Sequence, residues 1–255
     1  MKEISTGASR VLISLPLPPP SHQVTSFLDQ CERQVQRVGA ANGADFHRAS
    51  WRIRRWIYPS HKLQSFLEIE HQDLELVEQA EVADRVDYQE WIKKAGDNLS
   101  INEITALNQT FTKRLSGMRT YAASLAQHSH GAERILLPEW EKAQDRMRQI
   151  VELVNEEALG QGIVAATRAL VLINNAHAFS DGNGRTARAV FNWILSRSKM
   201  NDPFYITLKT LSAYSFGAYE LHLREAEIFS RWDGVFRFHA QAVRTALDVH
   251  EESSY

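Results

Sequence analysis

GIVAATRALVLINNAH, residues 162–177, is apolar on nearly every side, and the stretch it leads into, HAFSDGNGRTAR (177–188), is not. A helix that is hydrophobic all round is a buried one, so the first stretch marks the centre of a helical domain. TARAVFNWILSRSK, beginning at Thr186, then resumes a helical pattern with Val190, Phe191, Ile194 and Leu195 on one stripe. The polar link is therefore a helix end, a tight loop and a helix start, set between two buried helices.

Such a junction has a definite chemistry. Gly182 and Gly184 permit positive φ and would let a ligand approach without Cβ contact. N–H groups of the loop and of the next helical turn lack intrahelical partners, and with the positive end of the helix dipole they favour an anion, commonly phosphate. Arg185 and Arg188 lie three apart, on one helix face, and can hold two neighbouring phosphates. Asp181 would be repelled by phosphate unless a cation stands between them, which implies Mg²⁺. His177 is expected to accept a proton near neutral pH. Each part also has a plainer reading: a capping histidine, a common turn, two surface arginines. A calcium loop fails, because Arg185 stands at its fifth position, where a ligand belongs.

Composition restricts the function classes. The chain has 255 residues, Lys+Arg 29 against Asp+Glu 31, and a net charge of -2, which gives no general attraction to nucleic acid or anionic membrane. The single cysteine, Cys31, excludes an internal disulfide and a thiolate cluster and suits a reducing compartment. No apolar run reaches the ~18 residues of a membrane span. Near the N-terminus VLISLPLP is broken by prolines, with no convincing cleavage site. Cytoplasmic residence is the expectation, with export as an effector left open.

Around the central pair the chain reads as follows. Pro16, Pro18, Pro19 and Pro20 form an extended arm leading into a helix from about Ser21, with Val24, Phe27, Leu28, Cys31 and Val35 on one face. WRIRRWIYP (51–59) reads as a half-buried element with a solvated basic face, offset by the acidic EIEHQDLELVEQAE that follows. Residues 63–91 are helical and acid-rich, residues 95–98 a turn, and Ser100 with Glu103 a capping box. A boundary is expected near residue 97, dividing an N-terminal arm and helical extension (1–97) from a core domain (98–255). Ile101, Ile104, Leu107, Phe111 and Leu115 form a buried face that Gly117 ends. Residues 119–137 fit a small hairpin, Pro138 a first helical turn, and the C-terminal stretch YELHLREAEIFSRWDGVFRFHAQAVRTALDV is again helical. The fold class is all-α with one hairpin.

HAFSDGNGRTAR resembles the signature of Fic-domain proteins: histidine, any residue, Phe, any residue, an acid, Gly-Asn-Gly-Arg, two more and Arg. Ala178 replaces a frequent proline at a variable position. LSGMRTYAAS around Gly117 and Arg119 is similar to the segment before that family's target-binding hairpin, and AYELHLREAEIFSRWDGVFRFHAQAV to its closing helices. The resemblance spans roughly residues 98–245.

It implies a Fic-type helical bundle with a hairpin flap, and transfer of AMP from ATP to a Ser, Thr or Tyr hydroxyl of a target protein. By motif position, His177 takes the hydroxyl proton and Asp181 holds Mg²⁺ between the α- and β-phosphates. Gly182, Asn183 and Gly184 form the anion hole, with the Asn183 side chain near the α-phosphate. Arg185 and Arg188 neutralise the β- and γ-phosphates, Phe179 anchors the loop, and the flap near residues 119–137 takes the target by strand addition. Tyr219 is either near the adenine or a packing residue.

Many Fic proteins are restrained by a helical Glu that pairs with the second motif arginine, here Arg188. TSFLDQ (25–30) comes nearest to that pattern, with Asp29 for Glu, and is read as a chance match. A separate small antitoxin is the alternative source of the inhibitory Glu. Two other functions stay open: another transfer on the same cradle (other nucleotidyl, phosphoryl or AMP removal), and an inactive or inhibited binding module.

Overall fold

The computed structural model of the chain describes residues 10–38, 74–114, 117–125, 135–156, 160, 162–197, 205–215 and 218–253. The basic stretch 51–59, residues 63–73 and the tip of the expected hairpin lie outside them. Nine helices and one two-stranded hairpin make up the described residues. In chain order they are α1 (His22–Val38), α2 (Leu74–Ile92), α3 (Ile101–Thr112), β1 (Ser124–Leu125), β2 (Ile135–Leu136), α4 (Trp140–Asn155), α5 (Gly162–Ala176), α6 (Asn183–Ser196), α7 (Leu208–Tyr214), α8 (Ala218–Phe229) and α9 (Asp233–Ser253). The all-α expectation with one hairpin is met.

Helix α5 is the axis of the bundle. Ile163, Ala166, Ala169, Leu170, Val171, Leu172, Ile173 and Ala176 have no exposed surface, and α1, α4, α6, α8 and α9 pack around them. Small alanines on several faces let neighbouring helices approach closely, while Leu170 and Leu172 fill the space between them. Helix α6 lies against α5 with Val190, Phe191 and Leu195 buried, so the polar link joins two elements that cannot move apart without opening the core.

Local signals behave as their chemistry requires. Ser100 Oγ accepts from the Glu103 N–H at 3.2 Å, and Glu103 Oε2 accepts from the Ser100 N–H at 2.6 Å, which starts α3. Val24, Leu28, Cys31 and Val35 bury one face of α1 against α9 and join the same core as α5 and α6. At about 1.5–3 kcal/mol for each large buried apolar side chain, that face binds α1 firmly. Residue 138 differs from expectation: α4 begins at Trp140 with Glu139 as its flanking residue, so Pro138 ends the hairpin and does not open the helix. The helical stretch from Tyr219 onward is divided between α8 and α9, broken where Ser230 takes φ 55.

A histidine lies inside this core. His239 on α9 is fully buried, its Nδ1 sharing a hydrogen bond of 3.0 Å with the Thr167 hydroxyl of α5. Its ring packs tilted, with centroids 4.9 Å from Phe191 and 5.7 Å from Tyr219, and among the described residues its Nε2 has no hydrogen-bond partner. Burial lowers its pKa to about 3. Between that value and the ordinary 6.5, the unfolded chain binds a proton that the folded chain does not, so folding stability falls as pH drops through this window. From pH 7 to pH 5, wild type should lose on the order of 2 kcal/mol more than a His239→Gln variant, measured by urea unfolding. Equal losses in the two proteins would mean that the imidazole is solvated in the native state.

Candidate active site

Because most of α5 is buried, the carbonyls of its last turn have little access to water and call for donors within the protein. The His177 N–H continues the helical pattern to the Ile173 carbonyl at 3.0 Å, and the backbone of His177 then turns at φ 48. This is the left-handed position where helices commonly end on glycine. A histidine there costs about 1 kcal/mol of backbone strain, and such strain gathers at functional sites.

Arginine 119 holds the turn. Its backbone N–H donates to the Ala178 carbonyl at 2.8 Å, and Met118 bridges Phe179 in antiparallel fashion. Its side chain donates to three carbonyls: Nε to His177 at 2.9 Å, Nη1 to Tyr121 at 3.0 Å and Nη2 to Pro138 at 2.5 Å. Tyr121 and Pro138 bracket the hairpin, in which Ser124 pairs with Leu136 and Leu125 with Ile135. One guanidinium thus fixes both ends of the flap to the backbone of His177. Among the described residues no carboxylate pairs with Arg119, which is 2% exposed, and burial lowers its pKa. In the sequence Arg119 is one basic residue before a strand, and nothing local reveals that three carbonyls depend on it.

The loop braces itself. The Phe179 N–H donates to Asn183 Oδ1 at 2.9 Å, and Asn183 Nδ2 donates to the Phe179 carbonyl at 2.8 Å. The amide thereby pairs the backbone polar groups of buried Phe179, which is 1% exposed, and its second N–H is not used by these bonds. Gly182 takes φ 74, and a Cβ there would come within 2.8 Å of Asn108 and Thr112. Its lack of a side chain admits α3, where a ligand had been expected. A Cβ on Gly184 would meet Arg188 Nη1 at 3.3 Å, so Gly184 makes room for that guanidinium. Asn108, buried and unremarked in the sequence, donates to the Asp181 carbonyl at 2.9 Å and to Thr186 Oγ1 at 3.1 Å, tying α3 to the loop.

His177, Ser180, Asp181, Gly182, Asn183, Gly184, Arg185 and Arg188 line one cleft of about 290 Å³ at the N-terminus of α6. Phe179 stands behind it in the core. Asp181 Oδ1 accepts from the Gly182 N–H at 2.6 Å, and its Oδ2 is 3.7 Å from Arg185 Nη2. Arg185 Nη1 donates to the Phe111 carbonyl at the end of α3, at 2.6 Å. Arg188 Nη2 lies 3.3 Å from Asp84 Oδ2 of α2, with both side chains largely buried. One turn earlier on α2, buried Glu81 accepts from the Lys209 and Thr210 N–H groups at 3.0 and 2.6 Å, so it starts α7 and its burial raises its pKa.

The His177 pKa falls to about 4, lower than the near-neutral value expected from sequence. Burial is the main cause, Arg10 is next, and Arg119 and Arg224 add to it against a hydrogen bond to the Asn174 carbonyl. The imidazole is therefore neutral at pH 7 and able to accept a proton. Tyr219 stacks on Phe238 at 4.9 Å, in accord with the packing reading.

Comparison with known proteins agrees with this geometry. The model of the Fic/DOC family matches residues 98–195. The segment 98–195 belongs to the Fic/DOC family. Fic domains transfer AMP or other groups to proteins. No curated protein matches the chain in sequence. Among solved structures, a Fic family protein from Desulfovibrio desulfuricans aligns with TM-score 0.66 and 14% identity, over 94% of this chain and 78% of its own. Fic-1 from C. elegans aligns with TM-score 0.59 and 16% identity, over 91% and 73%. A Fic domain containing signaling protein from Bacteroides thetaiotaomicron gives TM-score 0.50 and 13% identity, over 89% and 97%. At these identities the likeness concerns the fold, and it extends beyond the family-matched segment to the helices on both sides.

Removing the amide of Asn183 strands two polar backbone groups of Phe179 in the core. Asn183→Ala is expected to cost on the order of 2–3 kcal/mol in chemical unfolding. A loss below about 0.5 kcal/mol would mean that water replaces the amide.

Proposed function

We propose that this chain transfers AMP from Mg-ATP to a Ser, Thr or Tyr hydroxyl of a target protein. The observation that carries the reading is the single cleft in which a neutral imidazole, a half-exposed carboxylate, an open helix N-terminus and two guanidiniums surround one volume. At about 290 Å³ it suits a polyphosphate better than a whole nucleotide, which leaves the base toward the rim. Arg185 and Arg188 would neutralise the β- and γ-phosphates, and the first N–H groups of α6 would receive phosphate oxygens.

Asp181 suits a magnesium ion. Its carboxylate is 53% exposed, and among the described residues no group of three or more ligands surrounds it, so phosphate and water would complete the shell. The ion, when bound, would supply charge neutralisation between phosphates. His177 would take the proton as the target hydroxyl oxygen attacks the α-phosphorus; a new O–P bond forms, the bond to the β-phosphate bridging oxygen breaks, and pyrophosphate leaves. Bound phosphates offset the cations facing the ring and raise its pKa toward the range useful to a base. The flap, held by Arg119, would take the target's extended backbone by strand addition.

Incubation with ATP labelled at the α-phosphate and a cell lysate tests this reading. Label is expected on protein with wild type, and at least about 100-fold less with His177→Ala. Transfer from γ-labelled ATP alone would replace it by kinase-type chemistry, and no transfer from either by a binding module.

The pairing of Arg188 with Asp84 supports a restrained form of the same site, since a γ-phosphate and Asp84 compete for one guanidinium. Asp84→Ala is expected to tighten ATP binding about fivefold by calorimetry, the equivalent of about 1 kcal/mol of ion pair. Asp29→Ala should leave it unchanged, because Asp29 is exposed on α1, which packs on α9 and α5. Weaker binding in Asp84→Ala would show instead that Asp84 orients Arg188 for the phosphate.

A further inference from the structure

Arg10 precedes the family-matched segment by most of a hundred residues, yet it ends on the last turn of α5, beside the active site. Its arm is held along α5 by paired hydrogen bonds. The Ile13 N–H donates to Asn175 Oδ1 at 2.9 Å, and Asn175 Nδ2 donates to the Val11 carbonyl at 3.1 Å. Arg146 and Arg168 secure the arm further, donating to the carbonyls of Ile13 at 2.5 Å and Pro18 at 2.8 Å. At the end of this track the Arg10 N–H donates to the Leu136 carbonyl of β2 at 2.7 Å, and Arg10 Nη1 donates to the Asn174 carbonyl at 3.0 Å. Arg10 Nη2 lies 3.5 Å from Glu227 Oε2 of α8, with the two side chains 8% and 4% exposed. Arg224 shares that same carboxylate oxygen.

The Asn174 carbonyl is the decisive atom. It belongs, three residues before His177, to the last turn of α5, whose carbonyls need donors, and it receives the Arg10 guanidinium. A cation at a helix C-terminus is also favoured by the dipole.

The geometry points to Arg10 as a positioning residue of the active site, which from outside the family-matched segment locks flap strand β2 to the last turn of α5, the turn that carries His177. The inference deepens the proposed function, since it takes His177 to be the base, but its readout does not require transfer. The charged groups facing the ring are Arg10 from the arm, Arg119 before the flap and Arg224 on α8, with Glu227 as shared counter-charge, and Asp181, Arg185 and Arg188 across the cleft.

The test follows the His177 ring itself by NMR titration of the full chain with labelled histidines. Arg10→Gln is expected to raise the His177 midpoint by at least about 0.5, because a facing cation is lost, whereas Arg10→Lys stays near wild type. Glu227→Gln is expected to lower it, because Arg10 and Arg224 lose their counter-charge. His239, buried elsewhere in the core, is the internal control and should not move. With α-labelled ATP, Arg10→Gln should lower kcat about tenfold while ATP affinity changes less than about twofold, as misorientation of a base requires. An identical His177 midpoint in wild type, Arg10→Gln and Arg10→Lys would overturn the proposal, as would an equal shift of His239, which reports general loosening. Absence of transfer by wild type alongside the expected midpoints would remove the proposed activity and leave the role of Arg10 standing.

Discussion

A helix buried on every side must end inside the protein, and the whole site follows from how α5 ends. Its last carbonyls, partly shielded from water, are met by the His177 N–H and by Arg10, while Arg119 takes the carbonyls of His177 and Ala178 just beyond. The donors come from the arm and from the segment before the flap. Satisfying the helix end therefore assembles the arm, the flap and the histidine in one place. The cost is two arginines held in low-exposure surroundings, one of them without a carboxylate. The result is a histidine ringed by cations and kept neutral.

The opposite side of the junction is acid-controlled. Helix α2 sends Glu81 to the start of α7 and Asp84 to Arg188, so one face of one helix both builds a neighbouring element and occupies the guanidinium at the far end of the cleft. Arg185 is held differently, by a helix-end carbonyl and by Asp181. The two arginines thus enter the cleft with unequal freedom. Arg185 can keep its carbonyl partner while it faces an anion, whereas Arg188 must leave a carboxylate or share it.

How much of this was legible beforehand depends on the range of each interaction. Helix faces such as Val24, Leu28, Cys31 and Val35 repeat with the helical period, and the Ser100 capping box acts within three residues; both stand in the sequence in full. The cleft residues were legible for the same reason, being packed into twelve consecutive positions. Their partners were not. Gly182 suggested room for a ligand, and the room is taken by α3. The bracing of the Phe179 backbone by the Asn183 amide had no local sign either.

The sequence by itself determined a helical domain centred on residues 162–195, with an anion-friendly junction carrying a histidine, an acid and two arginines, since these depend on periodicity and on neighbours along the chain. Tertiary structure alone decided which groups those residues meet. Asp84 and Arg188 are 104 positions apart, Arg10 and Asn174 164. No local pattern encodes such pairs, because the fold brings them together only once every face of α5 has been covered.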